Sequence, residues 1–189
     1  MNKIAIFASG NGTNAENLIR YFKSNRKINV ELIASNNGQA KVLRRAKNHG
    51  ISTITFNKKE LNTNTVINYL KKKKISFIIL AGFLLKIPQR ILNNYPEKIL
   101  NIHPSLLPLY GGDGMYGMHV HEQVFKSKDN YSGITIHFVN EVYDGGNIVF
   151  QAKCPISSTD SPKDIQKKVH NLEIKFFPII VEKVINGIN

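Results

Sequence analysis

The amino-acid sequence predicts an α/β protein built on a doubly wound, mostly parallel sheet. Three observations carry this prediction. Short apolar runs alternate with helical patterns through roughly residues 1–100, as they do in sheets of this class. The run "SFIILAG" (76–82) is apolar almost throughout, which is typical of a strand covered on both faces. Beyond residue 130 two strand-like runs follow each other closely, and they indicate an antiparallel C-terminal portion.

The N-terminal half supplies the parallel portion. Within 15–22 the apolar residues are spaced i, i+3, i+4, i+7, and Thr13 with Glu16 predicts a capping box at the start of that helix. Gly50 is expected to close the second helix, and Pro88 to open the fourth. The predicted strands are 3–9, 30–35, 52–56, 76–82 and 98–103, and the predicted helices are 15–22, 41–50, 59–73 and 88–94.

The C-terminal half begins with a glycine-rich loop, "GGDGMYG" (111–117), which leads into a predicted helix at 118–127. Strands are predicted at 132–139 and 147–156, joined by a turn in "NEVYDGG". Ser161 is the expected cap of a final helix with Pro162 in its first turn, and Pro178 is expected to kink or break that helix.

Composition limits the classes of protein. The chain of 189 residues has enough apolar sequence for one proper core, and its single cysteine, Cys154, excludes an internal disulfide. No signal peptide and no run of about 18 apolar residues is present, so the sequence predicts a cytoplasmic protein. The basic residues behind the net charge of +13 are dispersed along the chain, so the charge is interpreted as the result of a composition rich in Lys and Asn. Capture of anionic substrates and nucleic-acid binding remain alternative explanations of the charge.

The first loop, "SGNGTNAENL" (9–18), has the spacing G-x-G-x-x-A at Gly10, Gly12 and Ala15. The second strand ends in "IASNNG" without the acidic residue that a dinucleotide site uses, which argues against NAD. A lone phosphate fits the loop better, because glycines and a helix N-terminus expose backbone N–H groups. The alternative is a tight turn in which Thr13 only caps the helix.

Two polar clusters suggest group-transfer chemistry. Asn101 and His103 share one face of a strand that ends at the carboxyl edge of the sheet, where ligands bind. Asp144 lies in "YDGG", whose glycines permit close backbone approach. A carboxylate beside His103 is expected to raise its pKa, and an amide can donate to an oxyanion. These residue types suit transfer of an acyl or formyl group without a metal or covalent enzyme intermediate.

Other polar residues have weaker interpretations. His119 and His121 lie two residues apart without a recognised metal-ligand spacing, and Ser105 lacks the context of a nucleophile. His137, inside a strand, is interpreted as structural. His170 and Glu173 share a helix face; Glu173 either holds a cationic amine in a cleft or belongs to a solvated surface.

Several motifs together resemble the phosphoribosylglycinamide formyltransferases, folate-dependent enzymes of purine synthesis. They are "IFASGNGTN", "ILAGFLLKIP", "LNIHPSLLP", "GITIHFV" with "DGGNIVFQAKCPI", and "LEIKFFPIIV", and they span nearly the whole chain. The resemblance implies the Rossmann-like formyltransferase fold in a single domain, 1–189, with a phosphate-binding half (1–100) and a catalytic and folate-binding half (101–189). Formyltransferases acting on initiator methionyl-tRNA and formyltetrahydrofolate hydrolases are related, but carry further domains.

The resemblance also implies roles for individual residues. Asn101, His103 and Asp144 would stabilise the tetrahedral intermediate formed when the glycinamide amine attacks 10-formyltetrahydrofolate, with His103 kept protonated by Asp144. Glycinamide ribonucleotide would be held by two segments: Asn11, Gly12, Thr13, Asn14, and His170, Asn171, Leu172, Glu173. The folate would be held by Leu84, Leu85, Lys86, Ile87, Asn101, Asn140, Glu141, Val142, Tyr143 and Asp144.

Two departures from the family pattern accompany this resemblance. Leu84 and Leu85 stand where many bacterial members have Met-Arg, so an arginine contact to folate is absent or supplied elsewhere. The loop 111–121 is longer than usual. The expected partners are the two small-molecule substrates, with no metal, membrane or nucleic acid and with a monomeric or homodimeric state. Competing interpretations are a folate hydrolase, a formyltransferase for another amine, and a non-catalytic phosphometabolite or nucleic-acid-binding protein.

Overall fold

The computed structural model describes residues 1–187, which form a sheet flanked by helices. In chain order the elements are β1 (Asn2–Phe7), α1 (Thr13–Phe22), β2 (Ile28–Ser35), α2 (Lys41–Asn48), β3 (Ser52–Thr55), α3 (Lys58–Leu61), α4 (Asn64–Lys72), β4 (Phe77–Leu80), α5 (Gln89–Asn94), β5 (Ile99–His103), α6 (Met118–Ser127), β6 (Tyr131–Phe138), β7 (Ile148–Pro155) and α7 (Pro162–Ile185).

The seven strands lie in the order β3-β2-β1-β4-β5-β6-β7. Every neighbouring pair from β3 to β5 is parallel, and β5–β6 and β6–β7 are antiparallel. The chain reverses its direction of winding between β1 and β4, which is the switch point where ligands bind in sheets of this class. The predicted doubly wound sheet with an antiparallel C-terminal portion is confirmed.

The sheet buries both of its faces. One face packs against α1, α2, α6 and α7 through residues such as Leu18, Val42 and Phe177. The other packs against α3, α4 and α5 through residues such as Leu70 and Ile91. Strands covered on both sides lack a polar face, which explains the continuous apolar runs in the sequence.

Two helix predictions are wrong in detail. The predicted helix 59–73 is two helices, because the Thr63 side chain accepts a hydrogen bond from the N–H of Thr65 and starts α4 afresh. The final helix is not broken at Pro178, since α7 continues to Ile185. Pro178 and its neighbour Phe177 are buried, so packing of this turn against the core stabilises the helix against the lost backbone hydrogen bond.

The predicted capping box of α1 is also wrong. Gly12, in the left-handed region with a φ of 74°, is the N-cap, and no side chain caps the helix within residues 1–187. Glu16 instead contacts Arg45 and His49 of the neighbouring helix region. The interhelical ion pair therefore takes the carboxylate that a local cap would have used.

Among residues 1–187, no helix has the length and apolar character needed to cross a bilayer.

Candidate functional site

Strand β5 brings Asn101 and His103 to the carboxyl edge of the sheet. The two side chains share a face, as predicted, because one residue separates them on the strand. His103 is buried, and its Nε2 atom lies 2.7 Å from the carbonyl oxygen of Tyr110. That contact assigns Nε2 as the donor, so the Nδ1 edge is the one that faces the rest of the cluster.

Asp144 is the centre of this cluster. Its Oδ2 lies 3.4 Å from Nδ1 of His103 and accepts the N–H of Gly112 at 2.9 Å. Its Oδ1 lies 3.4 Å from Nδ2 of Asn101. The contact from Asn101 is long for a hydrogen bond, so a substrate oxygen can compete for its amide donor. In the neutral ring Nδ1 of His103 carries no proton and can accept one.

The pKa of His103 differs from the sequence prediction. Burial lowers the pKa of His103 below 6.5, and the Asp144 carboxylate with the Tyr110 carbonyl raises it only in part. For Asp144, burial acts to raise the pKa, but the contacts with His137, His103 and Gly112 lower it below 3.8. Asp144 acts to raise the pKa of His103, as predicted, but desolvation outweighs the carboxylate, so the expectation that Asp144 keeps His103 protonated is wrong for the free protein.

The sequence interpretation missed His137. Strand β6 places it directly opposite Asn101, and its Nε2 lies 3.0 Å from Nδ2 of Asn101 and 3.6 Å from Oδ1 of Asp144. Nδ1 of His137 lies 2.8 Å from the Phe138 carbonyl, which makes Nδ1 the donor and leaves Nε2 to accept from Asn101. Antiparallel pairing of "LNIH" with "TIHF" was the signal that could have revealed this contact.

We expect His137→Ala to lower kcat about tenfold with little change in KM, since Asn101 then loses the acceptor that orients its amide. Steady-state kinetics with glycinamide ribonucleotide and 10-formyltetrahydrofolate, the two substrates that the sequence resemblance implies, tests this. His137→Asn keeps a hydrogen-bonding amide and is expected to recover part of the lost kcat. An unchanged kcat in His137→Ala would show that Asn101 is oriented without it.

The segment after His103 is held by a buried network. The Ser105 hydroxyl donates to the Leu109 carbonyl at 2.6 Å, and the Thr135 hydroxyl donates to the Ser105 carbonyl at 2.7 Å. Gln151 donates to both Thr135 and the carbonyl of Leu107. Ser105 is thus engaged in fixing the loop, which is consistent with the weak sequence case for it as a nucleophile.

A larger cavity, of about 580 Å³, lies over the first loop. The uncapped start of α1 leaves its first-turn N–H groups without intrahelical acceptors, and these are suited to an anion. Gln166, Lys167 and His121 also line this cavity, and none of them was singled out for it by the sequence. The predicted substrate residues that line it are Asn11, Gly12, Thr13, Asn14, His170 and Glu173.

Glu173 joins the loop to the last helix. Its Oε2 accepts from Nδ2 of Asn14 and contacts Nδ1 of His170, each at 2.9 Å. The contact with Glu173 raises the pKa of His170 above 6.5. The Oδ1 atom of Asn14 is buried and has no hydrogen-bond partner among residues 1–187.

Asn171 and Leu172 do not line the cavity. Asn171 is exposed, and Leu172 packs against the core cluster of α7.

A narrow cleft of about 60 Å³ adjoins the cluster on the other side. It is lined by eight of the predicted folate residues: Leu85, Lys86, Ile87, Asn101, Asn140, Val142, Tyr143 and Asp144. Glu141 instead lines a neighbouring cavity of about 440 Å³. Leu84 lines neither, since its side chain is exposed and its N–H donates to Oγ of Ser9. Within residues 1–187 no group of three or more His, Cys, Asp or Glu side chains is placed to hold a metal ion.

These features define a class: α/β proteins in which an uncapped helix start after the first strand and an amide–imidazole–carboxylate cluster lie at the same sheet edge. The family model described as "Formyl transferase" matches residues 2–181. The chain therefore belongs to the formyl transferase family, and the resemblance noted in the sequence is confirmed.

Individual relatives agree with this assignment. The chain is 34% identical to the phosphoribosylglycinamide formyltransferase of Bacillus subtilis, over 100% of this chain and 97% of the relative. It is 37% identical to the chloroplastic enzyme of that name from Arabidopsis thaliana, over 95% of this chain. It spans only 64% of that protein and 60% of the similar one from Vigna unguiculata.

Solved structures of the same name share the fold. The protein from Bacillus halodurans superimposes with a TM-score of 0.88 at 33% identity, covering 97% of this chain and 95% of that chain. The protein from Anaplasma phagocytophilum gives a TM-score of 0.89 at 28% identity, covering 98% and 88%.

Proposed function

We propose that this protein transfers the formyl group of 10-formyltetrahydrofolate to the amine of glycinamide ribonucleotide, as the names of its relatives state for them. One observation carries the proposal: the catalytic cluster lies between two cavities. Ile102 and Pro104, the neighbours of His103, line the large cavity, while Asn101 and Asp144 line the narrow cleft. A group can therefore pass between two bound molecules across the cluster.

The large cavity suits a phosphorylated amine. We assign the phosphate to the open N–H groups of Gly12, Thr13 and Asn14 at the start of α1. Glu173 lines the same cavity with a carboxylate that can accept from an amine or ribose hydroxyl.

The narrow cleft suits the pterin of the folate, provided that its outer wall moves. Its volume of about 60 Å³ is smaller than a two-ring heterocycle. Val142 is 59% exposed and Tyr143 is 37% exposed, so little packing opposes a shift of this wall. The adjoining cavity shares Leu85, Lys86, Ile87 and Tyr143 with the cleft and has room for the rest of the folate.

The missing arginine has a replacement in this arrangement. Lys58 and Lys86 both line the adjoining cavity, and Lys86 Nζ lies 5.6 Å from the centre of the Tyr143 ring. We assign these ammonium groups to the carboxylates of the folate tail, in place of the arginine expected at position 85.

The mechanism follows from the positions of the donors. Asn101 donates its amide N–H to the formyl oxygen as the amine nitrogen bonds to the formyl carbon. His103, neutral in the free protein, takes up the proton that the amine sheds and becomes cationic beside the oxyanion. Asp144 stabilises this imidazolium. His103 then returns the proton to the departing folate nitrogen as the carbon–nitrogen bond to the folate breaks.

The domain organisation, the localisation and the oligomeric state are also proposals. One domain spans the chain, with the phosphate loop in 1–100 and the catalytic cluster in 101–189; the folate site, predicted for 101–189 alone, takes residues from both halves. The protein is cytoplasmic, although two relatives are named chloroplastic, and it is a monomer or homodimer.

A spectrophotometric assay tests the proposal. Purified protein is mixed with 10-formyltetrahydrofolate, with and without glycinamide ribonucleotide, and folate product is followed. Turnover that requires both substrates supports the proposal. Folate consumption without the ribonucleotide would indicate the hydrolase, and turnover with a different amine only would indicate another formyltransferase. Salt-sensitive RNA binding without turnover would favour the non-catalytic alternative.

A further inference from the structure

Helix α2 forms the outer support of the first loop. The Val42 N–H donates to the Gly10 carbonyl at 3.2 Å, so the start of α2 is joined to the loop backbone. Gly12 packs so closely on this helix that a Cβ atom there would overlap with the side chain of Val42. The shape of the loop is therefore set partly by α2, which follows it by about thirty residues in the chain.

Arg45 makes the polar part of this support. Its Nε donates to the Asn11 carbonyl at 2.9 Å, and its Nη2 donates to Oδ1 of Asn11 at 3.3 Å. Its Nη1 pairs with Glu16 in the first turn of α1. One planar guanidinium thus joins the loop residue before Gly12 to the helix that follows the loop.

Arg45 does not line the large cavity, whereas Asn11 and Gly12 do. Its effect on a bound anion must therefore pass through Asn11. Glu16 offsets the charge of Arg45, and its contacts with His49 and Arg45 lower the pKa of its carboxyl below 4.5 although burial opposes this. The guanidinium is consequently paired with the Glu16 carboxylate at neutral pH. Arg45 therefore contributes to anion binding through the geometry of the loop and not through its net charge.

We propose that Arg45 is a positioning residue for the phosphate group of the substrate. By donating to both oxygens of Asn11 it holds the loop so that the N–H groups at the start of α1 converge on one anion. This role rests on the proposed function only for the identity of the phosphorylated substrate. The binding of inorganic phosphate tests it separately.

The variants are Arg45→Met and Arg45→Lys, with Arg44→Met as the matched control. Arg44 lies one residue away on the same helix and is exposed, so its removal takes away the same charge. Arg45→Met is expected to raise the KM for glycinamide ribonucleotide ~10-fold or more, with kcat and the KM for folate within about threefold. Arg45→Lys keeps the positive charge but lacks the planar guanidinium that donates to several acceptors at once. It should therefore recover only part of the affinity for glycinamide ribonucleotide.

A double variant separates positioning from charge. Arg45→Met removes one of the cations beside Glu16, which keeps its contacts with Arg20 and His49. Arg45→Met/Glu16→Gln therefore also removes the carboxylate charge that is then less fully neutralised near the loop. A phosphate-binding defect that persists in the double variant supports positioning, and full rescue overturns it. Arg45→Lys equal to wild type, or Arg44→Met as impaired as Arg45→Met, would also overturn it.

Calorimetric titration of inorganic phosphate is run on every variant alongside the kinetics. Wild-type protein that binds phosphate but lacks turnover would contradict the proposed function alone. Equal phosphate affinity in wild type and Arg45→Met would contradict the role of Arg45 alone.

Discussion

His103→Ala is expected to lower kcat about a thousandfold, since His103 both moves the proton and supplies the positive charge beside the oxyanion. The side chain is buried at the end of β5, and its Nδ1 edge faces Asp144. No other described imidazole occupies that position, because Nε2 of His137 already accepts from Asn101. KM for each substrate should change only a few fold, since the walls of both cavities stay in place.

His119→Ala is the matched control for this variant. His119 is exposed on α6, and its Nε2 contacts only Gln123 among residues 1–187. Its replacement should leave kcat within about twofold. A His103→Ala protein that is folded by circular dichroism and retains a tenth of the wild-type kcat would contradict proton transfer by His103.

The fold was largely predictable because its determinants are local. Apolar runs, helical spacing and glycine or proline punctuation mark most elements to within a few residues. The failures occur where a distant residue competes with a local signal. Glu16 matches the capping-box pattern with Thr13, but Arg45 takes its carboxylate from across the helix pair. Likewise, buried packing carries α7 through Pro178.

The site shows the same limit. Asn101 and His103 were found because two residues on one strand share a face, and Asp144 because its glycine-rich turn indicates close approach. His137 and Arg45 act on these segments only through the register of β6 and the packing of α2. Those contacts depend on tertiary structure that a single sequence does not specify. The pKa of His103 also depends on burial, which no motif reports.

Asp144→Asn is expected to lower kcat on the order of a hundredfold while preserving the shape of the cluster. An asparagine can still accept the Gly112 N–H, so the turn that carries it should remain. What is lost is the negative charge 3.4 Å from Nδ1 of His103. The imidazolium formed during the reaction then lacks its nearest carboxylate in a buried site, and its formation becomes less favourable.

The same variant should shift the pKa of His103 downward. Burial already lowers this pKa below 6.5, and Asp144 is the largest influence that raises it, so removing the carboxylate leaves desolvation less opposed. NMR titration of the His103 ring carbon, assigned by comparison with His103→Ala, measures the shift directly. In kinetics, the acid limb of kcat/KM should move to lower pH, because neutral His103 is the form that accepts the proton. A pKa that rises in Asp144→Asn would show that the carboxylate does not stabilise the charged ring, and the role assigned to Asp144 would then fail independently of the measured rate.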